Sequence, residues 1–166
     1  MAVGLTTRGF ADQLGPFALV RRPPDPVMQQ VAMRLAAGRT GEHRMAPVPI
    51  ETALAFDELV ILTLPPIGER AVFTVGRLPD MDIVVDHPSV SKRHAELSWD
   101  EGIRRCSVKD LGSRNGTMLN DAFLEARDYV VSDNDTLSFG DERFWFLISA
   151  TLHDRLRSPD HRGRKL

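Results

Sequence analysis

From residue 58 to residue 149, short runs of apolar, β-branched and aromatic residues alternate with turn-forming residues. Turn signals recur about every eight to twelve positions, which is typical of antiparallel strands in a sandwich. No long helical period interrupts this stretch. The pattern therefore predicts an all-β fold, a β-sandwich of two antiparallel sheets. The predicted strands cover residues 58–64, 71–76, 82–85, 94–99, 103–109, 117–119, 127–131, 136–139 and 142–149.

Alternate positions on these strands supply the side chains expected between the two sheets, because successive side chains on a strand point to opposite faces. The predicted core consists of Val60, Leu62, Phe73, Val75, Val84, Leu97, Val108, Leu119, Leu137, Phe144 and Phe146.

The first fifty residues contain six prolines and leave room for one regular element, a short helix near 26–37. Asp25 is a suitable N-terminal cap and Pro26 suits the first helical position. The helix would carry an apolar stripe of Val27, Met28, Val31, Ala32 and Leu35. Such a stripe predicts packing against the sandwich, and a partner-binding helix is the alternative.

These features predict three regions: an N-terminal extension with its short helix (1–54), the sandwich (55–150) and a flexible basic tail (151–166). The chain has 21 Lys+Arg and 23 Asp+Glu, a net charge of −2. By segment, residues 1–50 carry +3, residues 51–150 carry −8 and residues 151–166 carry +3. An acidic body disfavours a broad grip on a nucleic acid, so no nucleic-acid partner is expected.

Several cations lie in the predicted loops of this acidic body, at Arg77, Lys92-Arg93 and Arg114. A sandwich can gather such loops at one end, which would form a local positive pocket. Guanidinium groups, a Ser hydroxyl and an Asn amide are good partners for a phosphate and the chain that carries it. A pocket of this kind suits a single small dianion.

Four motifs in these loops and strands, in this order and spacing, resemble the forkhead-associated (FHA) domain, a β-sandwich that binds phosphothreonine peptides. The resemblance covers roughly residues 55–150. The motifs are Phe73-Thr74-Val75-Gly76-Arg77, Asp82-Ile83-Val84-Val85, Ser89-Val90-Ser91-Lys92-Arg93-His94-Ala95-Glu96-Leu97 and Val108-Lys109-Asp110-Leu111-Gly112-Ser113-Arg114-Asn115-Gly116-Thr117.

The resemblance implies a role for each matching position. Arg77 and Ser91 match the phosphate-binding residues of the family, and Lys92 stands where relatives hold phosphate or peptide. Asn115 matches the Asn that binds the ligand main chain, and Arg114 precedes it at a position that is often Thr or Ser in relatives. The positions that match structural supports of the site are Gly76, His94 and Gly116.

The function implied is a phosphothreonine-dependent protein–protein interaction module, an adaptor downstream of a Ser/Thr protein kinase. Its partner would be a phosphothreonine-containing protein or peptide. The alternative is a phosphate-independent scaffold or oligomerisation domain. A cytoplasmic location is expected because the lone Cys106 offers no disulfide framework and no secretory signal is visible.

Other function classes find little support in the sequence. Ser91 and His94 lack a nucleophile signature, so no enzyme activity is expected. His87 is interpreted as a surface histidine, because two His residues seven positions apart, without Cys partners, make a poor zinc site. No cofactor and no metal are expected, and no apolar run is long enough for membrane insertion.

Thr6 and Thr7 lie beside Arg8 near the N-terminus, in a segment expected to be mobile. If a kinase modified one of them, the chain could bind its own pocket or that of a second copy. The sequence therefore leaves an intramolecular or homo-oligomeric contact open.

Overall fold

The computed structural model describes residues 6–22, 60–62 and 72–157, to which the structural statements below refer. It forms a sandwich of two sheets with two short helices. The elements are α1 (Thr7–Leu14), β1 (Phe17–Arg21), β2 (Ile61–Leu62), β3 (Val72–Gly76), β4 (Ile83–Val84), β5 (Ala95–Asp100), β6 (Arg105–Asp110), β7 (Thr117–Leu119), β8 (Ala122–Phe123), β9 (Tyr129–Val131), β10 (Thr136–Phe139), β11 (Glu142–Ile148) and α2 (Ser149–Arg157).

One sheet has six strands in the order β2-β1-β11-β10-β7-β8, and the other has five in the order β4-β3-β5-β6-β9. The pairs of strands are antiparallel except β3 and β4, which run parallel where Val75 is opposite Ile83. Each of the nine predicted strands overlaps an observed one, so the predicted sandwich is confirmed.

The core between the sheets contains most of the predicted side chains. Phe73, Val75, Leu97, Val108, Leu137, Phe144 and Phe146 are all buried. Two core predictions are wrong. Val84 is 38% exposed, because its neighbours Ile83 and Val85 are the residues buried at this edge of the sheet. Val60 is 44% exposed, because it precedes β2 at the edge of the other sheet.

The predicted domain boundary at residue 55 requires correction, because β1 lies within the predicted N-terminal extension. This strand pairs with β11 over its whole length, with Phe17 opposite Ile148 and Arg21 opposite Phe144. Its other neighbour is β2, where Val20 is opposite Ile61. Antiparallel neighbours are commonly joined by two to five residues, yet β1 ends at Arg21 and β2 begins at Ile61. Most of the extension is thus an insertion between two strands of the sandwich.

The helix predicted near residues 26–37 lies in this insertion, outside the described residues.

The first part of the predicted flexible tail is also wrong, since residues 151–157 continue the helix α2. This helix packs on α1 over the outer face of β1 and β11. Leu152 and His153 are buried there, and the ring of Phe10 in α1 lies 5.1 Å from that of His153. Apolar burial orders the helix, and the positive charges of Arg155 and Arg157 in its last turn are favourable at a helix C-terminus. Residues 158–166 lie outside the described part of the chain.

Thr6 and Thr7 are placed at the start of α1 rather than in a free N-terminal segment. The Thr6 hydroxyl accepts a hydrogen bond from the Gly9 N–H at 3.2 Å, which caps the helix. The Thr7 hydroxyl lies 3.2 Å from Nδ1 of His153 in α2. No helix in the described ranges combines the length and the apolar character that crossing a membrane requires.

Candidate phosphate-binding site

Three loops meet at one end of the sandwich: the one that follows β3, the one that precedes β5 and the one that precedes β7. Between them lies a shallow pocket of about 350 Å³, which we call the cationic pocket. Its lining residues are Arg77, Pro88, Ser89, Val90, Ser91, Lys92, Arg93 and Arg114. The structure therefore brings together four of the five predicted binding residues, across 37 positions of sequence between Arg77 and Arg114.

Gly76 allows the first two loops to approach closely. The Arg77 N–H donates to the Ser91 carbonyl oxygen at 3.0 Å. A Cβ atom at residue 76 would overlap the carbonyl oxygen of Lys92, which belongs to the backbone and cannot swing aside. The absence of a side chain at Gly76 thus sets the distance between Arg77 and the loop that carries Ser91.

His94 connects the second and third loops. Its side chain is fully buried. Its Nδ1 accepts a hydrogen bond from the Ser91 N–H at 3.0 Å. The other ring nitrogen, Nε2, therefore carries the proton and donates it to the Gly116 carbonyl oxygen at 3.1 Å. The imidazole is neutral in this arrangement, since a proton on Nδ1 would face the Ser91 N–H.

Burial lowers the pKa of the His94 imidazole below its ordinary value of 6.5, and the opposing effects of the Gly116 carbonyl and the Asp110 charge are smaller. The unfolded chain therefore binds this proton more readily than the folded protein. We expect the His94 contribution to the free energy of unfolding to be full above about pH 6.5 and to decline as the pH falls below that value. An NMR titration of the His94 ring should give a midpoint below about 6.5 and the Nε2–H tautomer. A midpoint above that value would contradict the arrangement.

Gly116 has a φ of +81°. This left-handed conformation favours glycine. The position is also crowded, because a Cβ atom there would lie 2.8 Å from the ring of Phe123. Gly116 thus turns the chain after Asn115 and presents the carbonyl oxygen that His94 binds.

Asp110 holds the third loop in shape. Its carboxylate accepts hydrogen bonds from the Gly112 N–H at 2.8 Å and from the Ser113 N–H at 3.0 Å. The hydroxyls of Ser113 and Thr117 donate to its other oxygen, each at 2.6 Å. Burial would raise the pKa of the Asp110 carboxyl, but these donors lower it below its ordinary value. A charged Asp110 therefore orders the loop on both sides of Arg114 and Asn115.

The cations around the pocket differ in their pairing. Arg93 forms an ion pair with Glu96 at 2.6 Å. Arg77, Lys92 and Arg114 make no ion pair with any residue of the described ranges. Arg77 is half-buried, whereas Lys92 and Arg114 are exposed. Three positive charges without an acidic partner in the described ranges are a suitable arrangement for binding an anion.

The Ser91 side chain provides a neutral donor at the same place. Its hydroxyl oxygen accepts a hydrogen bond from the Arg114 N–H at 2.9 Å. This contact joins the second loop to the third and leaves the hydroxyl proton available to a ligand.

Asn115 lies outside the cationic pocket, on its border. Its Nδ2 donates to the Ser89 carbonyl oxygen at 2.7 Å, while its Oδ1 makes no hydrogen bond with the residues that the structure describes. It lines an adjoining groove of about 660 Å³. Asn115 thus lines the groove, while its partner Ser89 lines the cationic pocket.

Two supporting residues, Ser89 and Asp110, belong to the quoted motifs but received no role in the sequence analysis. For Asp110 a local signal exists, because Asp before Gly and Ser commonly forms a turn through its side chain. For Ser89 the nearby partner is His87, two residues before it, but its partners Asn115 and Asp141, which connect it to the third loop and to the turn after β10, are distant in sequence. The described residues contain no group of three or more His, Cys, Asp or Glu that could hold a metal ion.

Comparison with known proteins identifies the part of the chain that contains this site. The family model for the FHA domain matches residues 73–140. The glycogen accumulation regulator GarA of Mycolicibacterium smegmatis is 35% identical over 101 residues, which are 58% of this chain and 61% of that protein. The oxoglutarate dehydrogenase inhibitor of Corynebacterium glutamicum is 38% identical over 79 residues, 48% of this chain and 52% of that protein. The chain therefore matches between half and two thirds of the length of these two relatives.

Solved structures with the same fold include two FHA domains. That of the CT664 protein from Chlamydia trachomatis has a TM-score of 0.52 and 18% identity, covering 80% of this chain and 97% of that one. That of yeast Dun1, solved in complex with a doubly phosphorylated peptide, has a TM-score of 0.52 and 21% identity, covering 81% and 75%. At these identities the likeness establishes the shared fold.

Proposed function

We propose that this chain binds phosphothreonine-containing proteins through an FHA domain and thereby acts as an adaptor in Ser/Thr kinase signalling, since the family model for that domain matches residues 73–140. The observation that carries the proposal is the cationic pocket, in which Arg77, Lys92 and Arg114 have no acidic partner among the described residues. A phosphothreonine supplies the missing charge, about −1.5 to −2 near neutral pH, and three acceptor oxygens.

Each side chain of the pocket has a distinct role in this proposal. Arg77 offers two parallel N–H donors to the phosphate oxygens, and Lys92 and Arg114 add positive charge at the rim. Ser91 donates its hydroxyl proton. Gly76, His94 and Gly116 support the site, because they set the distances between the three loops.

Asn115 would bind the main chain of the partner next to the phosphothreonine. Its free Oδ1 can accept a hydrogen bond from a peptide N–H, while Nδ2 remains bound to Ser89. Recognition of the partner therefore involves two contacts: the pocket binds the phosphate, and Asn115 at the border of the pocket binds the peptide main chain.

The charge of the body determines what kind of anion fits. Residues 51–150 carry −8, which repels an extended polyanion but leaves the local pocket for one dianion. A single phosphorylated residue in a flexible segment of another protein meets this condition, and a nucleic acid does not.

The proposal assigns no catalytic activity to the domain. The contact between His94 and Ser91 is made through the Ser91 main-chain N–H, so the pair does not form a nucleophile with its base. Cys106 is buried, and burial raises the pKa of its thiol to about 12, which leaves it unreactive. A free thiol of this kind is compatible with the cytoplasmic location that we include in the proposal.

The direct test is a library of phosphothreonine peptides with randomised flanking positions, presented to the full chain. We expect selected sequences to bind at least about tenfold more tightly than their unphosphorylated twins, because the pocket contributes two or more charge-assisted hydrogen bonds. Affinity is measured by fluorescence anisotropy or calorimetry. Equal affinity for the unphosphorylated twins would favour the phosphate-independent scaffold instead, and light scattering at several concentrations would then test oligomerisation.

A further inference from the structure

His87, interpreted from the sequence as a surface histidine, is built into the supports of the site. Its side chain is only 36% exposed. Nδ1 of the ring lies 2.8 Å from the Ser89 hydroxyl and 3.3 Å from the Ser89 nitrogen. On the other side of the ring, Nε2 lies 3.7 Å from a carboxylate oxygen of Glu142. These contacts hold Ser89 in place from outside the cationic pocket.

The contacts determine which ring nitrogen carries the proton. A main-chain N–H can only donate, so Nδ1 of His87 is the acceptor for Ser89, and the neutral ring has its proton on Nε2. The Glu142 carboxylate faces that proton and favours the same tautomer. Glu142 is itself held by an ion pair with Arg21 of β1. The strand missed by the sequence analysis thereby contributes to the binding end of the sandwich.

Ser89 passes this support on to Asn115. Its carbonyl oxygen accepts the hydrogen bond from Asn115 Nδ2 at 2.7 Å. Its hydroxyl oxygen accepts a second bond from the Asp141 N–H at 2.9 Å, which ties in the turn between β10 and β11. Ser89 is therefore the shared contact of His87, Asn115 and Asp141.

We propose that His87 is a positioning residue for Asn115, which binds the main chain of the peptide; this inference rests on the proposed function. The corresponding residue for phosphate binding is His94, whose Nδ1 accepts a hydrogen bond from the Ser91 N–H in the same manner. Each histidine holds one serine of the same loop. His94 orders the pocket around the phosphate, and His87 orders the border over which the rest of the peptide passes.

The separate roles of His87 and His94 predict that loss of the His87 ring weakens peptide binding selectively. Removal of the His87 ring removes one of the contacts that hold Ser89, and through Ser89 it affects Asn115, but it leaves Ser91, Arg77 and Lys92 held by their own contacts. Affinity for a phosphothreonine peptide should therefore fall, whereas affinity for free O-phosphothreonine, which has no flanking residues for Asn115 to bind, should stay unchanged.

The test compares three substitutions in the full chain. His87→Asn places its amide oxygen near the position of Nδ1 and keeps the acceptor for Ser89, whereas His87→Gln reaches toward Glu142 and His87→Ala has neither group. We expect His87→Ala and His87→Gln to weaken binding of a library-selected phosphothreonine peptide about three- to tenfold, the range of one lost hydrogen bond. His87→Asn should stay within about twofold of wild type. The inference would be overturned if all three variants bound the peptide with the same affinity. It would also be overturned if His87→Ala and His87→Gln lost as much affinity for O-phosphothreonine as for the peptide.

A second measurement needs no ligand. The side-chain NH₂ signals of Asn115 in an NMR spectrum report its bond to Ser89. They should shift in His87→Ala and keep their wild-type positions in His87→Asn, and unchanged signals in His87→Ala would overturn the inference. If wild type binds no phosphothreonine peptide, the proposed function fails. If wild type binds and these signals do not respond, the role of His87 alone fails.

Discussion

Replacement of Arg77 by Ala should weaken phosphothreonine-peptide binding between about tenfold and a hundredfold. A hydrogen bond to a charged group contributes about 1.5–3 kcal/mol, and a net loss equal to one such bond corresponds to this range of affinity. Arg77 is half-buried and has no acidic partner among the described residues, so its loss removes attraction for the ligand without breaking an ion pair there. Peptide affinity measured by calorimetry, with the fold checked by circular dichroism, gives the comparison.

Arg93→Ala is the matched control, since Arg93 lines the same pocket but is paired with Glu96. Its loss should change the affinity by no more than about threefold, because Glu96 already neutralises this guanidinium and its exposed charge is screened by solvent. If Arg77→Ala kept wild-type affinity in a folded protein, Arg77 would have no part in phosphate binding.

The largest expected effect on stability is that of Phe17→Ala in β1. The Phe17 ring is fully buried and lies 4.9 Å from that of Phe146, 5.9 Å from that of Trp99 and 6.0 Å from that of Phe73. Replacement of such a side chain by Ala lowers the free energy of unfolding by about 3–5 kcal/mol, through lost apolar burial and the cavity left behind. Urea denaturation of the full chain measures the change.

Phe123→Ala provides the control for the same chemical change, because Phe123 is 69% exposed on the edge strand β8. It should cost less than about 1 kcal/mol. A loss of less than about 1 kcal/mol for Phe17→Ala would mean that β1 is not part of the folded sandwich.

Because β1 lies between β2 and β11 in the sheet, a fragment that starts at residue 55 lacks this strand and is expected to fold poorly.

The strand β1 escaped the sequence analysis for a physical reason. Its first four residues, Phe17 to Val20, are buried on both faces. Phe17 and Leu19 contact the core between the sheets, and Ala18 and Val20 contact the helices α1 and α2. A strand covered on both sides has no polar alternation, and four apolar residues beside Pro16 carry no clear period. The helices that cover it are tertiary partners, which local patterns do not reveal.

At the sheet edges it was equally difficult to predict which side chains of a strand face the core. The prediction assigns Val84 to the core, yet Ile83 and Val85 are the buried residues. Because these three successive residues are all apolar, the sequence does not show which of them face the core. The pairing of β4 with β3 decides this. In β5, where Leu97 alternates with polar neighbours, the prediction was confirmed.

Strand alternation and turn residues are local properties of the chain, so the sandwich and the motifs from Phe73 to Thr117 were predictable before the fold was known. The folded structure was needed to show which cations have acidic partners, that His87 and His94 contact Ser89 and Ser91, and that β1 completes the six-stranded sheet. Each of these depends on contacts between residues far apart in sequence, such as Arg21 with Glu142 and Ser89 with Asn115. Such contacts exist only once the sheets have packed.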